Sequence, residues 1–323
     1  MTSKTAILRT LAYADIFSYP LTQKEFHHWL INRKKASVSS VNSAVSVLLK
    51  KPAKIARVGH YYTLKGRTYF VNLRHHRGSW SRPKLIEAKR VGEWLKIIPT
   101  ITMVAVTGAL SMGNTDKDDD IDLLIVTTPN TLWLTRLLVV PLISLIAKRR
   151  TPSTSYKSLD PEQAKRVEGL KDKSFNNAIC LNLWLDETAL MIPKKNQNLY
   201  TAHEVAQVKP LWSRPARRSP EQSRKGEGGR EVKNKLLIHN RWVKQFLANI
   251  KILSKPTKEK STKPSSVVNI VNQFAFLIQH LYMKRRITRE KVTLHAAFFH
   301  PKNTKSEVMK QYHFRLRQLN IKP

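Results

Sequence analysis

Apolar and polar positions along this chain change period several times, and each change marks an expected element. Ile7, Leu8, Leu11 and Phe17 recur at helical spacing until Pro20 interrupts them. Thr22 followed three residues later by Glu25 has the form of a capping box and predicts a helix over 25–31. A third helix opens at Ser37 or Ser39 and gathers Val41, Ala44, Val45, Leu48 and Leu49 on one face. Between Ile55 and Leu64 two short strand-like runs flank Gly59 and predict a hairpin.

The middle of the chain reads differently. Pro83 opens a helix with Leu85, Ile86, Ala88, Val91, Trp94 and Leu95 as its buried stripe. Ile101–Val106 and Ile121–Thr127 are apolar runs of strand length, and a helix follows from about Leu132 to Lys148. A polar loop from about 149 to 177 then leads to another strand over 178–187. This order suits an α+β class, with a small mixed β-sheet and helices on one side. Beyond 191 the pattern is mostly helical, with an amphipathic candidate at Leu236–Leu247 and a long apolar one at Val267–Met283. Two basic stretches, 213–235 and 251–266, are rich in Lys and Ser with Pro, a flexible-loop composition. Three regions result: 1–75, 76–190 and 191–323.

Composition sharpens this. A length of 323 residues suits two or three domains, and 41% hydrophobic residues suffice for real cores. The single cysteine, Cys180, excludes a disulfide framework and a cysteine metal site. The most apolar stretch, Leu137–Ala147, is too short to span a bilayer, and Met1–Thr5 carries no signal pattern. A cytoplasmic protein with no membrane partner is expected. The formal charge of +36 favours polyanions, DNA or RNA, on basic surfaces. Region 1–75 holds thirteen Lys/Arg against Asp15 and Glu25. Its order of three helices and a hairpin resembles a winged helix, which implies the third helix as groove reader. That helix offers Ser39, Ser40, Asn42, Ser43 and Ser46 rather than Arg, so DNA contact and protein contact stay equally open.

The chemistry concentrates at five aspartates within seven residues: Asp116, Asp118, Asp119, Asp120 and Asp122. Asn114 to Asp118 suits a turn. Asp120 and Asp122 enter an apolar strand, where alternation puts both on one face. Thr107-Gly108-Ala109, ten residues, then Asp120-Ile121-Asp122-Leu123 resembles the signature of the polymerase β-type nucleotidyltransferases. The resemblance covers the central third of the chain. It implies that Asp120 and Asp122 are catalytic and hold Mg²⁺ (or Mn²⁺). It implies too that Gly108, Ala109 and the nearby Ser111 lie at the nucleotide phosphates. Ala109 departs from the usual Ser or Gly.

A third carboxylate, which the family usually carries on a later strand, has two candidate positions here. Asn182 sits mid-strand and is neutral, whereas Asp186 shares its parity and would face the same side. Arg136 reads as a phosphate contact or a helix-end side chain. His203-Glu204 and His295 with His300 lack ligand spacing and read as structural. The implied activity is transfer of a nucleoside monophosphate from an NTP to a protein, RNA or small-molecule acceptor. The alternative is a catalytically degenerate, nucleotide-sensing, DNA-binding regulator.

Overall fold

A computed structural model describes residues 3–32, 34–50, 52–149, 177–214, 236–252, 266–284, 291–299 and 304–322. Most of the polar loop expected at 149–177 and of the two basic stretches lies outside these residues, as does His300.

The N-terminal module begins with α1 (Ser3–Ile16) and the short strand β1 (Leu21–Thr22). Next comes α2 (Gln23–His28), started by the expected capping box: Thr22 Oγ1 accepts from the Glu25 N–H, and the Glu25 carboxylate accepts from the Thr22 N–H. Ser37 caps α3 (Val38–Leu49), which buries Val41, Ala44, Val45 and Leu48. β2 (Ile55–Val58) and β3 (Tyr61–Leu64) form the hairpin, with Gly59 at positive φ. β1 adds to β3, giving the sheet order β1-β3-β2.

A single helix, α4 (Phe70–Leu95), then runs through residue 75, so the boundary read from the element pattern falls inside a continuous element. Pro83 lies within it rather than at its start. Ala88, Val91 and Leu95 are buried as expected, but Ile86 and Trp94 face solvent.

The central sheet contains β4 (Ile101–Val106), β5 (Ile121–Thr127) and β6 (Ile179–Asp186), each where the apolar runs predict a strand. Three more strands come from the region expected to be helical. They are β7 (Lys209–Ser213), β8 (Lys291–Val292) and β9 (Ala296–Phe298). The six strands run in the order β7-β4-β5-β6-β9-β8. β5 and β6 are parallel and the other pairs antiparallel, so the sheet is mixed and the class is α+β.

Alternation along these strands feeds two cores. Val104, Val106, Leu123 and Ile125 pack under α4 and α6 (Leu132–Ile146). α8 (Ser266–Lys284) closes the same layer through Ala275. Met103, Ala105, Leu124 and Val126 face the other way, into a core shared with the N-terminal module, α7 (Leu199–Gln207) and α9 (Thr304–Gln318). Helices therefore cover both faces, not one. The expected Leu236–Leu247 helix is broken: the buried Asn240 side chain bonds Leu190, Ile192 and Leu236, and Arg241–Gln245 continues as a 3-10 helix. Among the described residues no helix is long and apolar enough to cross a membrane.

Candidate functional site

β4 ends at Thr107, and the chain turns sharply through Gly108 into the one-turn helix α5 (Gly108–Ser111). Gly108 has φ +57°, a left-handed conformation that costs any other residue type steric energy. A Cβ placed there would also stand 3.1 Å from Asp122 Oδ2. The turn and the carboxylate are thus in near contact, because β4 and β5 are antiparallel neighbours and the Thr107 N–H donates to the Asp122 carbonyl. Ser111 is not turned toward this point. Its hydroxyl donates to the Gly108 carbonyl at 2.7 Å and tightens the turn.

Beside Asp122 stands Asn182. Its Nδ2 donates to Asp122 Oδ1 at 2.5 Å, and its Oδ1 accepts from the Cys180 thiol at 2.8 Å. Asp186 does not join them. The β5–β6 register shifts by one residue, pairing Asp122 with Cys180 but Leu124 with Leu183. This bulge resets the alternation. Leu183 and Leu185 face the side of Asp122, whereas Trp184 packs in the opposite core and Asp186 goes with it. Asp186 also pairs with Thr127, roughly 17 Å further along the strand. There it is fully buried and saturated by the Asn130 and Thr188 N–H groups, the Thr188 hydroxyl and His295 Nδ1. Those contacts cap the end of β6, and Asp186 is a structural residue. Equal parity in sequence did not mean an equal face, because parity is lost across a bulge.

The acidic run upstream is largely tied into the fold. Arg77 forks onto Asp116 at 2.8 and 3.0 Å, and Asp119 Oδ2 accepts from the Asp116 N–H. The buried Lys84 ammonium donates to the Asp119 carbonyl. Burial lowers the Lys84 pKa, and the charges of Asp119, Asp120 and Asp118 oppose that shift without cancelling it. Asp120 lies in this group just before β5. Arg136, offered by sequence as a phosphate contact, instead donates to Gln279 Oε1 at 2.6 Å.

Asp122 opens onto a cavity of about 1300 Å³ between the sheet, the N-terminal module and the C-terminal elements. Gly108 and Ala109 line it too; Asp120 and Ser111 do not. Tyr13, Trp29 and Tyr200 give it aromatic walls, and Lys195, Lys291 and Lys305 give it three ammonium groups. Small-molecule sites are commonly ~300–1,000 Å³, so this cavity is a roomy one.

One lining residue was read from the sequence as structural. Glu204, on α7, accepts from Gln207 Nε2 at 2.7 Å. Burial pushes its pKa up to about 7; the Gln207 hydrogen bond opposes this, and the Asp122 charge adds to it. Its signal was weak: a lone acid on a helix that buries Leu199, Ala202, Val205 and Ala206. The adjacent His203 is buried among aromatic rings. It stacks on Tyr13 at 4.0 Å and Trp29 at 5.5 Å, and burial, with the nearby His28, drives its pKa down to about 3.

The site therefore joins Gly108, Ala109, Asp122, Asn182 and Glu204, with Asp120 at the strand entrance. Among the described residues no group of three or more His, Cys, Asp or Glu is arranged to hold a metal ion. No protein-family model matches the chain, and no curated protein matches it in sequence.

Proposed function

We propose that this chain is a nucleotidyltransferase of the polymerase β type, moving a nucleoside monophosphate from an NTP to an acceptor held in the same cavity. The observation that carries this reading is the near contact of the Gly108 turn with Asp122 at the wall of a cavity of about 1300 Å³. A glycine turn presents backbone N–H groups to phosphate oxygens without side-chain obstruction. The three lysines complement the remaining phosphate charge, and the aromatic walls suit a base.

Mg²⁺ is usually held by one or two carboxylates together with substrate phosphates and water. Asp122 on the cavity wall, with Asp120 two residues before it, would hold one such ion. When bound, the ion neutralises phosphate charge and polarises the phosphoryl oxygens. The acceptor hydroxyl oxygen bonds to the α-phosphorus, the α–β phosphoanhydride bond breaks, and pyrophosphate leaves. Glu204, in its ionised form, takes the hydroxyl proton. Asn182 orients Asp122 by its 2.5 Å hydrogen bond.

Asn182 also favours a second reading. A neutral amide where the family carries a carboxylate leaves no third ligand for a second ion, which suits a nucleotide sensor with little or no turnover. In that reading the N-terminal module, taken as winged-helix-like, supplies the DNA or protein contact. It has three helices and a small sheet, and α3 exposes Ser39, Ser43 and Ser46.

Calorimetry with each Mg²⁺–NTP tests the site that both readings share. Asp120→Asn with Asp122→Asn should abolish metal-dependent binding in a folded protein, and unchanged affinity would sink both. Incubation of labelled NTPs with lysate then separates them. Label transfer supports the enzyme; binding without transfer supports the sensor.

A further inference from the structure

A soluble helix ordinarily buries its apolar stripe and turns polar residues to water. α8 does the reverse. Its fully buried residues are Asn272, Ala275 and Gln279, with Phe276 and Met283 partly buried beside them and Phe276 5.1 Å from the Trp133 ring. Asn272 Oδ1 accepts from the Trp133 and Leu134 N–H groups at 2.9 and 3.2 Å, capping the start of α6. Gln279 Nε2 donates to the Trp133 carbonyl at 2.8 Å, and its Oε1 accepts from Arg136. Polar groups, with Ala275 and Phe276, therefore fasten α8 to the protein. The outward face carries Ile270, Phe274, Leu277, Ile278, Leu281 and Tyr282, all at least 52% exposed. Their spacing makes one continuous stripe along the helix. On the adjoining α6, Leu145 is 84% exposed. An apolar surface of this kind marks an interaction site, because leaving it in water forfeits the hydrophobic gain.

Charge selects the occupant. Neither α6 nor α8 contains an acidic residue, α8 ends in Lys284, and the chain carries +36. A second copy would bring +36 against +36. Nucleic acid would answer the charge and leave the stripe uncovered. An anionic bilayer answers both, with acyl chains for the stripe and headgroups for the lysines and arginines.

We propose that α8 docks this protein on the surface of an anionic membrane, lying in the interfacial plane with Phe274 and Leu281 inserted. This is independent of the nucleotide reading. It also narrows the sequence expectation of no membrane partner to the absence, among the described residues, of a helix able to cross one.

Sedimentation of the full chain with vesicles tests it. Vesicles of equimolar phosphatidylcholine and phosphatidylglycerol should bind about tenfold or more tightly than phosphatidylcholine alone. Phe274→Glu with Leu281→Glu should weaken that binding by about tenfold or more, at unchanged melting temperature, since both side chains sit in solvent. Should the double variant misfold, Ile278→Ser provides the same comparison with a smaller loss. The proposal is overturned if the wild type ignores anionic vesicles, or if well-folded variants bind them as the wild type does. It is equally overturned if light scattering finds a wild-type dimer that the double variant dissolves, for then a second copy covers the stripe.

Discussion

Glu25, where the N-terminal module meets α4, and Glu204, in the cavity wall, are both enclosed by protein, yet their acidities move in opposite directions. Burial alone would raise both. At Glu25 it is overcome: Arg74 forks onto the carboxylate at 2.7 and 3.0 Å, the Thr22 N–H and the Tyr19 hydroxyl donate to it, and its pKa falls below the ordinary value. Arg74 is itself stacked over Tyr19 at 4.0 Å. At Glu204 the Gln207 amide donates, Asp122 adds a like charge, and the pKa rises to about 7. The contrast teaches that enclosure does not by itself mark a functional acid. A carboxylate whose cation is built into the fold is a fastener. One left beside another carboxylate, on the wall of a large cavity, is available for chemistry.

The most severe way to break this comparison is to remove the fastener's cation. Arg74→Met should cost ~3–5 kcal/mol at neutral pH, because it strands the enclosed Glu25 charge. Urea unfolding measures it, and a loss under ~1 kcal/mol would mean that solvent already carries that charge.

The second test uses pH in metal-free protein. The Glu204 pKa is raised on folding, so its contribution is present below the unfolded value of about 4.5 and lost as pH rises through about 7. Glu204→Gln should therefore stabilise the protein at pH 8, by up to ~3 kcal/mol, and change little near pH 4. Glu25 works the other way. Its stability is present above the ordinary carboxylate range and lost as pH falls through its depressed value. Thermal melts of Glu204→Gln and wild type across pH should show these two windows on opposite sides of neutrality. A Glu204→Gln benefit that did not grow with pH would place Glu204 in the same class as Glu25.

Gly108→Ala should cost ~1–2 kcal/mol, from the left-handed backbone and the approach to Asp122, and should weaken nucleotide binding in calorimetry. Wild-type nucleotide affinity in a destabilised variant would remove the turn from the phosphate site. The smallest expected effect on stability is that of Asn182→Asp. It exchanges a hydrogen bond for like-charge repulsion, on the order of 1 kcal/mol without metal. Added Mg²⁺ should reverse that loss, and label transfer should rise. If the Asn182→Asp variant proved indifferent to Mg²⁺, the amide would be left with no functional meaning.

Much of this was legible in the residues. Periodicity located β4, β5 and β6, because an apolar run of strand length has few other ways to bury itself. Thr22 and Glu25 spelled out a cap whose donors and acceptors lie within one turn. Gly108 and the spacing to Asp122 identified the turn and its carboxylate, because adjacent antiparallel strands bring them together. What stayed hidden depended on partners distant in sequence. Asp186 had the right parity, but the register of β6 against β5 inserts a bulge that no local pattern records. β7 and β9 are too short and mixed to stand out, and are strands because β4 and β6 offer them open edges.

The sequence by itself thus determined β4, β5, β6 and the Thr22–Glu25 cap, which are set by interactions within a few residues, and the glycine turn and its aspartate, which neighbouring antiparallel strands bring together. Tertiary structure alone decided that Asn182 rather than Asp186 stands beside Asp122 and that α7 brings Glu204 to the same cavity as Asp122. It alone decided that α8 shows its apolar stripe to the outside. In each case the face that a side chain presents is fixed by which neighbour packs against it, and that choice is made only when the whole chain closes on itself.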